Sequence, residues 1–256
     1  MTSNPADTEE GELISSPDPH VNNVINGSAH ATDNIVNVSN EGTGRTRGTL
    51  AAARADQAVR EALTLVDEGG LEALTMRRLA DRLGVHLPTI YRSFANKGAL
   101  VGEMAEAILA RALPAGPFDS ADWTDHVRHL AGSLRAALLA QRDGARIVGG
   151  NYTAKRNNLT YVDTLVGCMR EAGLARDHSL WAASSVFCYV LGETLEQQGA
   201  AGGETETLEG VLRAGGYPHL TAGPAHRLLD FDARFAFGLE LLLTGIGAAE
   251  RTASPG

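Results

Sequence analysis

The amino-acid sequence predicts an all-α protein in which a small N-terminal helical domain is joined to a larger helical domain. The first observation is that apolar side chains recur at helical spacing along most of the chain after residue 49. The second is that residues 75–98 divide into two short helices at a glycine, Gly84. The third is size, because 256 residues with 43% hydrophobic content fit one small domain plus one larger one.

Residues 1–48 are predicted to be a disordered, acidic extension. The segment 1–44 contains seven acidic residues and no Lys or Arg, and it is rich in Asn, Ser, Thr, Asp and Gly without a helical or strand period. A first helix is expected from about Thr49 to Asp67. The apolar face of this helix consists of Val59, Ala62, Leu63 and Val66.

Residues 49–97 are predicted to form one domain whose last two helices meet at a tight turn. Thr75 is a good N-cap for the first of these helices. Its apolar stripe consists of Leu79, Ala80 and Leu83. Gly84 supplies the left-handed backbone conformation that ends a helix, and Val85 is expected to fill the corner between the two helices.

The second short helix carries an apolar side and a row of polar donors. Pro88 suits its first turn, and Ile90, Tyr91 and Phe94 are expected to supply the buried side. The donors on or beside its exposed face are Thr89, Tyr91, Arg92 and Lys97. Such groups hold a short helix against phosphates in a major groove, while one or two side chains reach base edges. The pattern therefore indicates a helix-turn-helix that binds double-stranded DNA; the alternative is a packing motif without DNA contact.

The distribution of charge favours a nucleic-acid partner for this domain. The whole chain has a net charge of −9, but residues 45–98 contain nine basic and six acidic residues. The flanking segments, 1–44 and 99–256, carry −7 and −5, so the only positive segment holds the motif. Arg45 and Arg47 either form an arm that enters the neighbouring minor groove or belong to a solubilising linker.

Residues 98–250 are predicted to form the larger domain. A linking helix continues from the motif to about Ala112, so a displacement at its far end can move the motif as a lever. A flexible Gly- and acid-rich loop is expected at residues 199–223. The last helix, 235–246, is apolar on nearly every side, so we expect a second copy of the chain to cover it. The expected dimer interface consists of this helix and the helix that contains Phe187.

No pattern in the sequence indicates an enzyme, a cofactor site or a metal site. It contains no Gly-rich phosphate loop, nucleophile elbow or paired cysteine motif. His126 and His129 have a spacing that could bind a metal, but an ordinary solvated helix face is the preferred interpretation. Cys168 and Cys188 are interpreted as buried thiols. Without a signal peptide or an apolar run of about 20 residues, the protein is expected to be cytoplasmic and to have no membrane partner.

The run from Leu74 to Tyr91 resembles the DNA-binding motif of the tetracycline-repressor (TetR) family, Leu-Thr-x-Arg-x-Leu-Ala-x-x-Leu-Gly-Val-x-x-Pro-Thr-x-Tyr. The resemblance extends over residues 58–113. The DNA contacts that it implies are a base edge for Arg77, the groove for Pro88 and Thr89, and phosphates for Tyr91 and Lys97.

Three positions depart from the tetracycline repressors of that family. Leu87 stands where they have a glutamine that reads adenine, and Arg92 and Ser93 replace a Trp-His pair. Leu87 can contact only a thymine methyl group, so the operator sequence is expected to differ.

The C-terminal domain also resembles that of the tetracycline repressors, through residues 142–145, 191–198 and 237–241. The resemblance implies an intersubunit four-helix bundle and a small-molecule effector. The ligand-binding positions that it implies are Leu113, Leu130, Leu134, Val148, Asn151, Thr164 and Glu196. Val148 stands where the family has a histidine that holds magnesium, and valine cannot ligate a metal. The mostly apolar lining favours a bulky, apolar or aromatic ligand.

The sequence therefore predicts a ligand-responsive repressor that binds a palindromic operator as a homodimer. The effector is expected to be a drug or natural product, and the controlled gene an exporter. One alternative is a DNA-binding dimer without an effector. The other is a helical protein that binds small molecules but no operator.

Overall fold

The computed structural model describes residues 41–114, 116, 120, 122–150, 155–200 and 204–253, and for 41–48, 204–205, 225 and 250–253 it describes the backbone only. The described residues from 44 onward form one compact unit. Most of the predicted disordered extension lies outside the described residues. All regular structure in the described ranges is helical, which confirms the all-α prediction. No helix there is both long and apolar enough to cross a bilayer.

The described part of the chain contains eleven α-helices: α1 (Glu41–Gly69), α2 (Met76–Arg82), α3 (Leu87–Ser93), α4 (Lys97–Ala112), α5 (Trp123–Leu139), α6 (Gly144–Gly149), α7 (Arg156–Glu171), α8 (Arg176–Gly199), α9 (Glu204–Arg213), α10 (Pro218–Thr221) and α11 (Phe231–Ala253). Two short 3-10 helices, Leu71–Ala73 and Ala225–Leu229, lie between them.

Two predicted segments differ from the structure. Helix α1 begins at Glu41 and not at about Thr49, so it includes the junction assigned to the extension. The prediction of a flexible loop at residues 199–223 is wrong, because α9 and α10 lie within this segment. The apolar spacing of Leu208 and Leu212 supports α9, and Leu212 is buried, which outweighs the Gly and acid content of the segment.

The helix-turn-helix follows the local rules that predicted it. The Thr75 hydroxyl accepts a hydrogen bond from the Arg78 amide at 3.1 Å, and Gly84 has a φ of 64°. The expectation for Val85 is wrong, because its side chain is 37% exposed. Buried residues of this motif instead include Leu79 of α2, Ile90 of α3 and Phe94, the C-cap of α3.

Helix α4 joins the motif to the larger domain. The Asn96 side chain caps its start by accepting a hydrogen bond from the Ala99 amide at 2.8 Å. Leu100, Met104 and Ile108 form one fully buried stripe, and the helix contacts α5, α6 and α7. Because only residues 94–96 separate α4 from α3 and α4 packs on three helices of the larger domain, it connects the motif directly to that domain.

Helices α8 and α11 pack closely and leave an apolar face uncovered. The Tyr189 hydroxyl donates to the carbonyls of Arg234 and Phe235 at 3.0 and 2.9 Å. Gly238 allows this approach, because a Cβ there would collide with that hydroxyl. Phe237 is 69% exposed on the far side of α11, so the burial predicted for that helix is incomplete within one chain.

Gly144 is expected to be required for the junction between α5 and α6. A Cβ at Gly144 would collide with the carbonyl oxygen of Leu138, a backbone atom that cannot move aside. We expect Gly144→Ala to lower the free energy of unfolding by about 1–3 kcal/mol, measured by urea denaturation. Gly132→Ala on α5 is the control, since open space surrounds it, and should raise stability by about 0.5–1 kcal/mol. Equal effects of the two substitutions would contradict this account.

Candidate nucleic-acid interface and ligand cavities

The side chains of the three arginines of α2 differ in their hydrogen-bond partners. Arg78 donates to the Ala73 carbonyl at 2.9 Å, and Arg82 makes two hydrogen bonds to Glu68 at 2.8 and 2.7 Å. The bonds from Arg82 lower the pKa of the Glu68 carboxyl below its ordinary value. Arg77 is exposed and makes no hydrogen bond or ion pair to any residue that the structure describes. Its planar donor group is therefore available to an external acceptor.

Five of the seven residues of α3 are among the predicted DNA contacts. Pro88, Tyr91 and Arg92 are exposed, whereas Leu87 and Thr89 are half-buried. The burial predicted for Tyr91 is wrong, because of the three residues expected on the buried side only Ile90 and Phe94 are buried. Arg92 donates to the Thr89 hydroxyl at 3.2 Å, which orients its guanidinium along the helix. The helix thus presents hydroxyl groups, a cation and two apolar side chains on one short surface.

The remaining predicted DNA contacts are placed differently. The Lys97 ammonium is half-buried and donates to the Leu71 carbonyl at 3.2 Å, so it already stabilises the motif domain. Arg45 and Arg47 lie in the first turns of α1 and not in a separate arm, because the helix begins before them. The side chains of these two arginines lie outside the described residues.

A polar bridge joins α1 to the turn between α5 and α6. The Gln141 amide group donates to the Leu63 carbonyl at 3.0 Å and to the Asp67 carboxylate at 2.6 Å. The Arg142 backbone amide donates to the same carboxylate oxygen at 2.9 Å. The Asp143 carboxylate accepts from the Leu71 amide at 2.7 Å. Residues 141–143, defined here as the bridge, therefore fix the turn against the motif domain.

Gln198 at the end of α8 holds the other side of the bridge. Its side-chain oxygen accepts from the Ala145 amide at 3.0 Å, and its nitrogen donates to the carbonyls of Leu138 and Gln141 at 2.9 and 2.8 Å. The sequence predicted no contact between Gln198 and the bridge; it indicated only that residues 142–145 and 191–198 resemble segments of the tetracycline repressors. Gln141 and Gln198 are 57 residues apart, so the sequence around either one does not predict their contact.

Two of the cavities in the described part of the larger domain are of particular interest, because each has a wall formed by α7. The first, of about 600 Å³, lies between α6, α7 and α8, and its lining includes Val148, Phe187 and Leu191. The second, of about 440 Å³, lies between α5 and α7, and its lining includes Leu130 and Thr164. Both volumes fall within the range of small-molecule sites.

The structure does not bring the predicted ligand-binding residues together. Leu130 and Thr164 line the second cavity, and Val148 lines the first. Neither lining includes Leu134, which is fully buried in the core, Leu113, which is half-buried, or Glu196, which is exposed. Asn151 lies outside the described residues.

The second cavity is more polar than the sequence indicated. Its lining includes His126, His129, Asp163, Cys168 and Glu171. The Thr164 hydroxyl is directed back to the Thr160 carbonyl at 2.7 Å. Burial raises the pKa of the Cys168 thiol to about 11, with a smaller contribution from the Glu171 charge. A ligand in this cavity therefore meets several hydrogen-bonding groups besides an apolar wall.

Two family models match the chain. The model "Bacterial regulatory proteins, tetR family" matches residues 58–104, and the model "Tetracyclin repressor-like, C-terminal domain" matches residues 116–249. The tetracycline repressor protein class C of Escherichia coli is 35% identical over 193 residues, which are 73% of this chain and 88% of the relative.

Solved structures are similar over most of the chain. A protein described as a possible TetR family transcriptional regulator from Streptomyces coelicolor A3(2) is 42% identical, with a TM-score of 0.70 over 76% of this chain and 99% of that one. ActR of Streptomyces coelicolor in complex with actinorhodin is 30% identical, with a TM-score of 0.68 and coverages of 77% and 97%. BioQ with its double-stranded DNA operator is 29% identical, with a TM-score of 0.58 and coverages of 76% and 98%.

Proposed function

The chain belongs to the tetracycline-repressor (TetR) family, whose members are regulators, and we propose that it is a repressor that binds a palindromic operator as a homodimer. A small molecule in the larger domain releases it. The observation that carries this proposal is the exposed Arg77 guanidinium beside the donors of α3, on a motif anchored by its own hydrogen bonds. The protein would act in the cytoplasm, where its operator lies.

The proposed DNA contacts follow the geometry of α2 and α3. Arg77 makes a bidentate contact to a guanine, and Leu87 packs against a thymine methyl group. Pro88 and Thr89 lie against the groove. Phosphates are held by Tyr91, Arg92 and Lys97, and by Arg45 and Arg47 if the first turns of α1 reach the duplex. The solved complex of BioQ with its operator supports DNA binding by this fold.

A second copy of the chain covers the apolar face of α8 and α11. Trp181 and Leu195 on α8 and Phe237 and Leu241 on α11 are 67%, 45%, 69% and 59% exposed. Large apolar side chains grouped on neighbouring helices indicate a protein interface. A two-fold dimer presents two motifs and so binds two half-sites related by a palindrome.

The effector is proposed to occupy the second cavity, between α5 and α7. Leu130 and Thr164, two of the positions implied by the family resemblance, lie in its wall. The solved complex of ActR with actinorhodin supports a natural product as the effector class. The polar lining favours an aromatic molecule that carries several hydrogen-bonding groups. Control of an export gene remains a prediction.

The bridge transmits effector binding to the motif. The wall of the second cavity is built by α5 and α7, and α5 leads directly into Gln141 and Arg142, which hold Asp67 of α1. Linkage requires the effector to bind the DNA-incompetent arrangement more tightly. A coupling of about 1–3 kcal/mol would lower operator affinity roughly 5- to 150-fold.

Arg77→Ala is expected to change which DNA sequences the protein selects. Loss of a bidentate contact to one base should cost about 1–3 kcal/mol and relax the preference at one base pair in each half-site. The measurement is selection from a random DNA library with the wild-type and variant proteins, at one salt concentration, because affinity depends on salt.

Arg78→Ala is the matched control on the same helix. It removes the same charge, but the Arg78 guanidinium is engaged by the Ala73 carbonyl, so all sequences should weaken alike. An Arg77→Ala protein with an unchanged preference would contradict the assignment of Arg77. Failure of the wild-type protein to enrich any sequence would contradict the proposed function itself.

Phe237→Asp is expected to separate the dimer, because it places a charge in the proposed apolar interface. The dissociation constant should rise roughly 30-fold or more, the equivalent of losing a contact worth about 2 kcal/mol. Sedimentation velocity over a concentration series measures it. Leu50→Asp on α1, where Leu50 is 53% exposed, should leave the dimer intact. A wild-type protein that stays monomeric at all concentrations would refute the interface.

A further inference from the structure

Three of the side chains that line the second cavity form a cluster of potential metal-ligand atoms. His126 of α5 faces Cys168 and Glu171 of α7, and one ligand atom from each lies within 4.8 Å of the others. Cys168 and Glu171 are three residues apart, so they lie on one side of α7. Sequence reasoning paired His126 with His129, but the packing of α5 on α7 gives His126 different neighbours.

The separation of the histidine and carboxylate ligand atoms is close to that in a tetrahedral metal site. The His126 Nδ1 and Glu171 Oε2 atoms are 3.6 Å apart. Two ligands at about 2.0–2.1 Å from a tetrahedral zinc ion are separated by about 3.3 Å. Cys168 is buried and fixed by packing, whereas the Glu171 side chain is 60% exposed and can adjust its rotamer.

We propose that His126, Cys168 and Glu171 bind one divalent cation of the zinc class, with a fourth coordination position open to the second cavity. Nitrogen, sulfur and carboxylate ligands together suit Zn²⁺ and its neighbours in the transition series. Mg²⁺ prefers oxygen ligands only, so a thiolate selects against it. Binding forms a metal–sulfur bond and releases the thiol proton to solvent.

This site is separate from the magnesium position implied by the family resemblance, where this chain has Val148. Val148 lines the first cavity, and the proposed cation lies in the wall of the second. The open coordination position would accept a donor atom of the effector. That consequence rests on the proposed function, whereas cation binding itself does not require DNA binding.

Co²⁺ is the probe for the site, because it replaces Zn²⁺ and is visible by absorption. The full-length reduced protein should bind one Co²⁺ per chain and show a thiolate-to-cobalt charge-transfer band together with the intense visible bands of tetrahedral cobalt. Cys168→Ser should abolish the charge-transfer band. Cys188→Ser is the matched control, because Cys188 is an exposed thiol outside the cluster, and it should keep the band.

Glu171→Gln provides a second variant whose folding is not at risk, since its side chain is mostly exposed. It should keep the charge-transfer band and weaken Zn²⁺ binding by at least about tenfold, measured by competition with a chelator. The proposal is overturned if the wild-type protein shows no band, if the band survives in Cys168→Ser, or if Glu171→Gln binds Zn²⁺ as tightly as wild type. Those results would leave an ion pair of His126 and Glu171 beside a packed thiol.

Discussion

The hydrogen bonds of the Asp67 carboxylate are the constraint on which the rest of the structure depends. One oxygen of this group, near the end of α1, accepts from the Gln141 side chain and from the Arg142 amide. Hydrogen bonds to a charged acceptor are roughly twice as strong as neutral ones. Because Gln141 is buried, the loss of its partners would leave polar atoms unsatisfied. The orientation of the motif domain is therefore set by contacts with the larger domain.

Helix α8 extends this constraint to the other parts of the larger domain. Its last turn holds the bridge through Gln198, its middle lines the first cavity through Phe187 and Leu191, and Trp181 lies on the apolar face assigned to the second copy. A displacement of α8 would therefore change the bridge, the first cavity and the proposed dimer interface together. Packed interiors respond to such displacements by discrete shifts, which suits a protein with two states.

Local rules predicted the parts of the fold that depend on neighbouring residues. Thr75 and Gly84 mark the ends of α2 by their own chemistry, and both were predicted correctly. The side of a helix that faces a cavity depends on its packing partners, which explains why Leu134 lies in the core while Leu130 lines the second cavity. His126 contacts α7, and Gln198 contacts the bridge. Both contacts join segments that are distant in sequence, so the helical spacing of apolar residues cannot predict them.

Hydrogen exchange with and without bound operator tests most directly whether the bridge couples the DNA-binding motif to the larger domain. The probes are the backbone amides of Arg142 and Ala145, which donate to Asp67 and Gln198 and lie outside the proposed DNA-contacting residues. If the bridge couples the two domains, binding of the operator duplex selected by the protein will change exchange at both amides as well as in α2 and α3. Changes confined to residues 49–97 would contradict this coupling.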